Sequence, residues 1–247
     1  KPLVVETAMD ALLKELNTSD FELKSTVARV LSRSGDRRAI APLANLLNSD
    51  DAKIVAMAKE NLASFDGNIN KEVAQAVAVA PEQGKVAAIQ LLAARGADEY
   101  LDVVLKELSS SSAKVKEASY QALQSVVLEK DLPKLYELLE SANGKEVEAV
   151  QQAIVAAISP LEGEKQVQLI EARINQVSDS KKVLYFAPLA ATGEVKVLPT
   201  LMKGFDEATG TSKETAFSAL LKWDGVESAE VLFNIAKDPA TANFYDR

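Results

Sequence analysis

Residues 37–67 read RRAIAPLANLLNSDDAKIVAMAKENLASFDG, and this stretch decides the fold. Ile40, Leu43, Leu46 and Leu47 recur at helical spacing and make one apolar stripe. Asn48-Ser49-Asp50-Asp51 then breaks the pattern with side chains suited to cap the next helix. A second amphipathic run, Val55 to Leu62, ends before Asp66-Gly67. The segment is therefore two short helices joined by a polar turn. Helices of about 12 residues are marginal alone, so such a hairpin needs neighbours to cover its stripes.

Those neighbours are in the sequence. Second helices throughout the chain share an apolar anchor: Leu31, Leu62, Leu92, Leu123, Ile154, Leu189 and Leu221. Successive spacings are 31, 30, 31, 31, 35 and 32 residues. Gly35, Gly96, Gly193 and Gly225 follow four residues after their anchors, where a left-handed residue ends a helix. First helices precede them, as in Leu101-Val104-Leu105-Leu108, Leu132-Leu135-Leu138-Leu139 and Leu198-Leu201-Met202-Phe205. The turns between include Ser109–Ser112 and Gly210-Thr211-Ser212. A period of this size means stacked units with a continuous core. The expected fold is an all-α α-α superhelix of about seven helix pairs, with a leading helix over Val4–Leu16. The 35-residue spacing is expected to be a lengthened loop at Pro160–Gly163. Residues 1–247 read as a single repeat domain. Pro239–Arg247 reads as the entry to another helix, so the array is expected to continue.

Composition narrows the function classes. The chain has 247 residues, no His and no Cys. Serine–histidine triads, thiolate nucleophiles and Cys/His metal sites are excluded. No dinucleotide fingerprint, phosphate loop, EF-hand loop or zinc spacing is present, and no cofactor is expected. The formal net charge of −8 and the isolated basic pairs Arg37-Arg38 and Lys181-Lys182 argue against nucleic acid. No run of about 18 apolar residues is available to insert into a membrane. Acidic pairs such as Asp50-Asp51, Asp98-Glu99 and Glu162/Glu164 fall in turns, where they read as helix caps.

The run Ala39–Leu47, the Asp50-Asp51 turn and the Ala-rich Val55–Leu62 helix resemble the HEAT-like repeat, and Val197–Met202 resembles its first half. Ile54, Lys116 and Glu148 stand where many HEAT repeats carry an Arg. Ala219–Asp224 through Asp238-Pro239 is similar to repeats of secreted bacterial HEAT proteins. The resemblance implies a non-catalytic scaffold that presents a concave helical surface to a protein partner, in an extracytoplasmic (periplasmic or secreted) setting. Its alternative is an accessory domain of a secreted carbohydrate-processing protein, with a carbohydrate-related partner and a catalytic part beyond residue 247. A third reading is a lyase acting on bilin chromophores, as some HEAT-like proteins do, but nothing in the chain singles out the acid/base groups it would need.

The residue two before each anchor lies about 200° round the helix from it, on the outer face. In that row stand Arg29, Glu60, Gln90, Gln121 and Gln152. The resemblance places the second helices on the concave face, so these residues, with Trp223, are the candidate binding surface. The three glutamines would form an amide ladder able to donate and accept. Tyr120, Tyr136 and Tyr185 read mainly as packing residues.

Overall fold

The computed structural model describes residues 2–223, 226–238, 241 and 244, and their side chains apart from residues 2–6, 227 and 228. Among the described residues there are helices and turns and no strand. The chain forms two compact units, 1–126 and 127–247.

The first unit stacks four helix pairs: α1 (Pro2–Glu15) with α2 (Phe21–Ser34), α3 (Ile40–Asn45) with α4 (Ala52–Ala63), α5 (Asn70–Val79) with α6 (Glu82–Ala94), and α7 (Leu101–Glu107) with α8 (Ala113–Val126). The second helices α2, α4, α6 and α8 pack in that order, side by side. The leading helix of the sequence reading is thus the first helix of the first pair. The second unit pairs α9 (Leu132–Ser141) with α10 (Lys145–Ile158). Next, α11 (Gly163–Ile174) pairs with the split helix α12 (Asp179–Lys182) and α13 (Phe186–Ala190). Finally, α14 (Leu198–Glu207) pairs with α15 (Gly210–Leu221), and α16 (Glu227–Lys237) packs on α15. The fold is all-α, built from HEAT-like hairpins, and each unit is a short α-solenoid.

The anchors explain the stacking. Leu31, Leu62, Leu92, Leu123, Ile154 and Leu189 are all fully buried. One turn earlier stand Val27, Ala58, Ala88, Ser119, Val150 and Tyr185, also buried. Ala58, Ala88 and Ser119 in this row are small and let α4, α6 and α8 pack closely. Leu221 departs from the expected register. It is 44% exposed, and Leu220 is buried in its place with Ala216 one turn earlier. The true anchor lies 31 residues after Leu189, which restores the period. Gly225, expected to end that helix, lies outside the described residues, as does most of the Pro239–Arg247 segment.

The 35-residue interval also has a different origin. From anchor to the next first helix the chain takes nine residues at Leu123–Leu132, Ile154–Gly163 and Leu189–Leu198 alike, so the Pro160 loop is not lengthened. The extra residues lie inside the sixth pair, between Gly163 and Leu189. There the second helix is interrupted by a 3-10 turn, Val183–Tyr185.

Caps follow local chemistry. The carboxylates of Asp20, Asp36 and Asp51 accept main-chain N–H groups of Leu23, Arg38 and Lys53 at 3.1, 2.9 and 2.8 Å. The Val115 N–H donates to Ser112 Oγ at 3.2 Å. Ser212, by contrast, sits inside α15, which begins two residues earlier. Gly35 ends α2 at φ 65°, the left-handed conformation that favours glycine. No helix among the described residues is long and apolar enough to cross a membrane.

Candidate functional site

The first unit carries a groove of about 780 Å³ between α2 and α4. Phe21, Glu22, Ser25, Arg29 and Arg33 line one wall; Lys53, Ala56, Glu60, Asn61 and Ser64 line the other. Glu22, Ser25, Arg29 and Arg33 on α2, and Lys53, Ala56, Glu60 and Ser64 on α4, fall three or four apart, so each set forms one continuous stripe. Ser25 and Ala56 are small and leave the interval between the helices unfilled. At its far end the groove is closed by polar contacts. Ser32 Oγ donates to the Asn61 carbonyl at 2.7 Å, and Ser64 Oγ donates to the same oxygen at 3.2 Å.

Among the described residues Glu22, Arg29, Arg33, Lys53 and Glu60 make no ion pair with one another or with other groups. Other surface charges are paired, as in Arg38 with Asp36 and Lys165 with Glu129, both at 2.7 Å. The Asn61 Nδ2 donates to the Met57 carbonyl at 2.8 Å, while its Oδ1 accepts from no group among the described residues. Ser25 Oγ likewise has no partner among the described residues.

The candidate row from the sequence divides. Arg29 and Glu60 are exposed and sit in the groove. Gln90 does not extend it, because Lys59 Nζ donates to Gln90 Oε1 at 2.6 Å and bridges α4 to α6. Gln121 is exposed on α8, its Nε2 donating at 3.4 Å to Glu117 Oε1 on the same helix. Gln152 is exposed on α10, in the other unit. The glutamines therefore do not join into one run of free amides: one is bonded to a lysine, another to a glutamate. Trp223 is only 6% exposed and is a core residue rather than a platform for a ligand. Tyr185 is fully buried too.

Residues that the anchor-minus-two row overlooked are Glu22, Ser25, Arg33, Lys53, Ala56 and Ser64. A signal for them was present. Counting nine and six before the anchor and two after it gives Glu22, Ser25 and Arg33 on α2, and Lys53, Ala56 and Ser64 on α4.

A second polar centre lies in the second unit. Glu140 accepts from Tyr185 Oη at 2.8 Å, Lys181 Nζ at 3.0 Å and Arg173 Nε at 3.1 Å. Burial acts to raise the Glu140 pKa, but the bonds from Tyr185, Lys181 and Arg173 together hold it below the ordinary glutamate value. Arg173 also lies 5.5 Å from the Tyr136 ring centre, and Tyr136 meets Tyr185 edge to face at 5.6 Å. Burial pushes the Tyr136 hydroxyl up to about 12, with Arg173 opposing it. This cluster ties α9 to α11 and to the split helix. Every charge in it is consumed internally.

No family model matches the chain, and no curated protein matches it. Among solved structures it is similar to the complex of CpcE and CpcF of phycocyanin lyase from a Nostoc species, with 16% identity, a TM-score of 0.45, and coverage of 91% of this chain and 92% of that one. A designed armadillo repeat protein in complex with the peptide (KR)4 is also similar, at 16% identity and TM-score 0.42 over 87% of this chain and all but 1% of that one (99% covered). A computationally designed armadillo repeat protein for modular peptide recognition matches at 17% identity and TM-score 0.39, over 87% of this chain and 100% of that one.

Proposed function

We propose that this protein is a non-catalytic binding scaffold that takes an extended segment of a partner protein in the groove between α2 and α4. The observation that carries this reading is the set of five charged side chains left without partners around one open interval. A folded protein gains little from exposed single charges, but a groove lined by them recognises a complementary chain. Ser25 Oγ and Asn61 Oδ1 add hydrogen-bonding capacity for a main chain, which an extended segment leaves unpaired. The stacked second helices hold these groups on rigid elements, so little order has to be imposed on binding.

Selection of a random peptide library on the full chain tests the proposal. Peptides recovered on the wild-type protein are expected to lose most of their affinity for the Arg29→Glu/Glu60→Lys double variant and to keep it for Gln152→Ala. Equal binding to all three proteins would place the partner site away from the groove.

A further inference from the structure

Asn143 and Gly144 stand exposed in the turn between α9 and α10. Among the asparagines of the chain, Asn143 alone is followed by glycine. Gly144 has φ 57° and ψ −126°, a left-handed conformation that suits glycine. A Cβ built there would meet nothing within 4 Å, so solvent reaches the main chain around it. Its N–H donates to no group among the described residues. A single exposed bond, from Asn143 Nδ2 to the Ser141 carbonyl at 3.2 Å, holds the neighbouring side-chain amide. After Asn17, Asn48 and Asn175 the next nitrogen is engaged instead. Thr18 N donates to the Glu15 carbonyl at 3.0 Å, Ser49 N to that of Leu46 at 3.2 Å, and Gln176 N to that of Arg173 at 2.9 Å. Asn61 and Asn234 lie inside α4 and α16, and Asn68 precedes the fully buried, β-branched Ile69.

A free, solvent-exposed main-chain nitrogen next to a side-chain amide is arranged for intramolecular attack, which proximity accelerates strongly. Once solvent base has taken its proton, the Gly144 nitrogen bonds to Asn143 Cγ. The new bond closes a five-membered succinimide, and the side-chain nitrogen leaves as ammonia. Water then opens the ring. Attack at Cγ gives aspartate; attack at the main-chain carbonyl gives isoaspartate, in which the chain runs through the side-chain carbons. The net change exchanges an amide nitrogen for a carboxylate oxygen and needs no oxidant or reductant. We infer that Asn143 is a self-modifying site, and that its conversion to isoaspartate loosens the start of α10. The Asn143 and Gly144 carbonyls accept the N–H groups of Glu146 and Val147 at 3.1 and 3.3 Å. Isoaspartate takes the first of these carbonyls out of the main chain and adds a methylene before Gly144, so that acceptor is displaced.

The test incubates the full, folded chain in warm, mildly alkaline buffer and maps its peptides by mass spectrometry over time. Asn143 is expected to convert ahead of every other asparagine, and faster as pH rises, because the attacking nitrogen must lose its proton. The peptide that holds it should gain the mass difference between an amide and an acid and split into aspartate and isoaspartate forms. Asn143→Gln, which would have to close a six-membered ring, is expected to stay unconverted at that position. Aged wild-type protein should melt about 2–4 °C below fresh protein, while Asn143→Gln aged in parallel keeps its melting temperature. An Asn143 that survives while Asn17 or Asn48 converts would overturn the site. Full conversion to isoaspartate with an unchanged melting temperature would overturn the effect on α10.

Discussion

Pro188 has no N–H to offer the carbonyl four residues before it, so the Leu184 oxygen needs another donor. Gln151, buried on α10, supplies it: its Nε2 donates to Leu184 O at 2.7 Å. The next residue, Gln152, is exposed. The periodic row picked out Gln152 and passed over Gln151, because the need for Gln151 arises from a proline 37 positions away in the chain. Gln151→Leu is expected to cost about 1–2 kcal/mol in urea unfolding, the price of a half-buried acceptor left unpaired, whereas Gln152→Leu should stay within about 0.5 kcal/mol. Equal effects would mean that the Leu184 oxygen finds its donor elsewhere. Glu140 supplies a pH-dependent counterpart. Its folded pKa lies below the ordinary value of 4.5. A carboxyl depressed on folding contributes stability above its unfolded pKa, and that contribution is lost as pH falls through the folded value. The stability difference between wild type and Glu140→Gln should thus be greatest near neutrality and shrink below pH about 4.5. A difference that stays constant down to pH about 3 would show that Arg173, Lys181 and Tyr185 do not stabilise the charge.

At the scale of helices, most of the arrangement is written in the spacing of the anchors. Six of the seven proposed anchors are fully buried, since an apolar residue repeated at the stacking period has nowhere else to go. The seventh was misplaced by one residue because Leu220 and Leu221 are both leucine, and only packing distinguishes them. The sixth pair was harder to read. Its extra turn leaves the hydrophobic pattern intact on either side and displaces only the count between anchors, so the insertion looked like a loop. Close approach between helices was also invisible in the pattern. Gly84 opens α6 against the end of the first helix of the preceding pair, and a Cβ there would lie 1.9 Å from the Leu47 carbonyl oxygen. That neighbour is main chain and cannot rotate away. Gly84→Ala is expected to lose about 1–3 kcal/mol by forcing α6 outward, with a far-ultraviolet spectrum that remains helical. Gly35→Ala meets open space, so its cost comes only from the left-handed backbone, about 1–2 kcal/mol. Should Gly84→Ala melt with wild type, the contact between Leu47 and α6 is not as close as described.

At the scale of the whole chain, the all-α class was legible because apolar residues recur at helical spacing in one segment after another. The groove was only half legible: Arg29 and Glu60 stood in the periodic row, but which charges lack partners depends on side-chain reach, which a sequence does not state. The division at residues 126 and 127 leads to a further expectation. Each unit has its own fully buried residues, Leu43, Leu62, Ile89 and Leu123 in the first, Leu135, Ile154, Tyr185 and Phe205 in the second. In stacked repeats each pair draws its stability from itself and its immediate neighbours. A fragment of residues 1–126 keeps four complete pairs and all of the groove-lining residues. It should fold alone to a helical monomer, melt cooperatively below the full chain, and bind peptides selected on the full chain with unchanged affinity. A fragment that is unfolded at 25 °C would mean that the first four pairs depend on the remainder for their stability. One that folds yet loses the peptides would mean that the binding surface extends past α8, and the groove between α2 and α4 would then be only part of it.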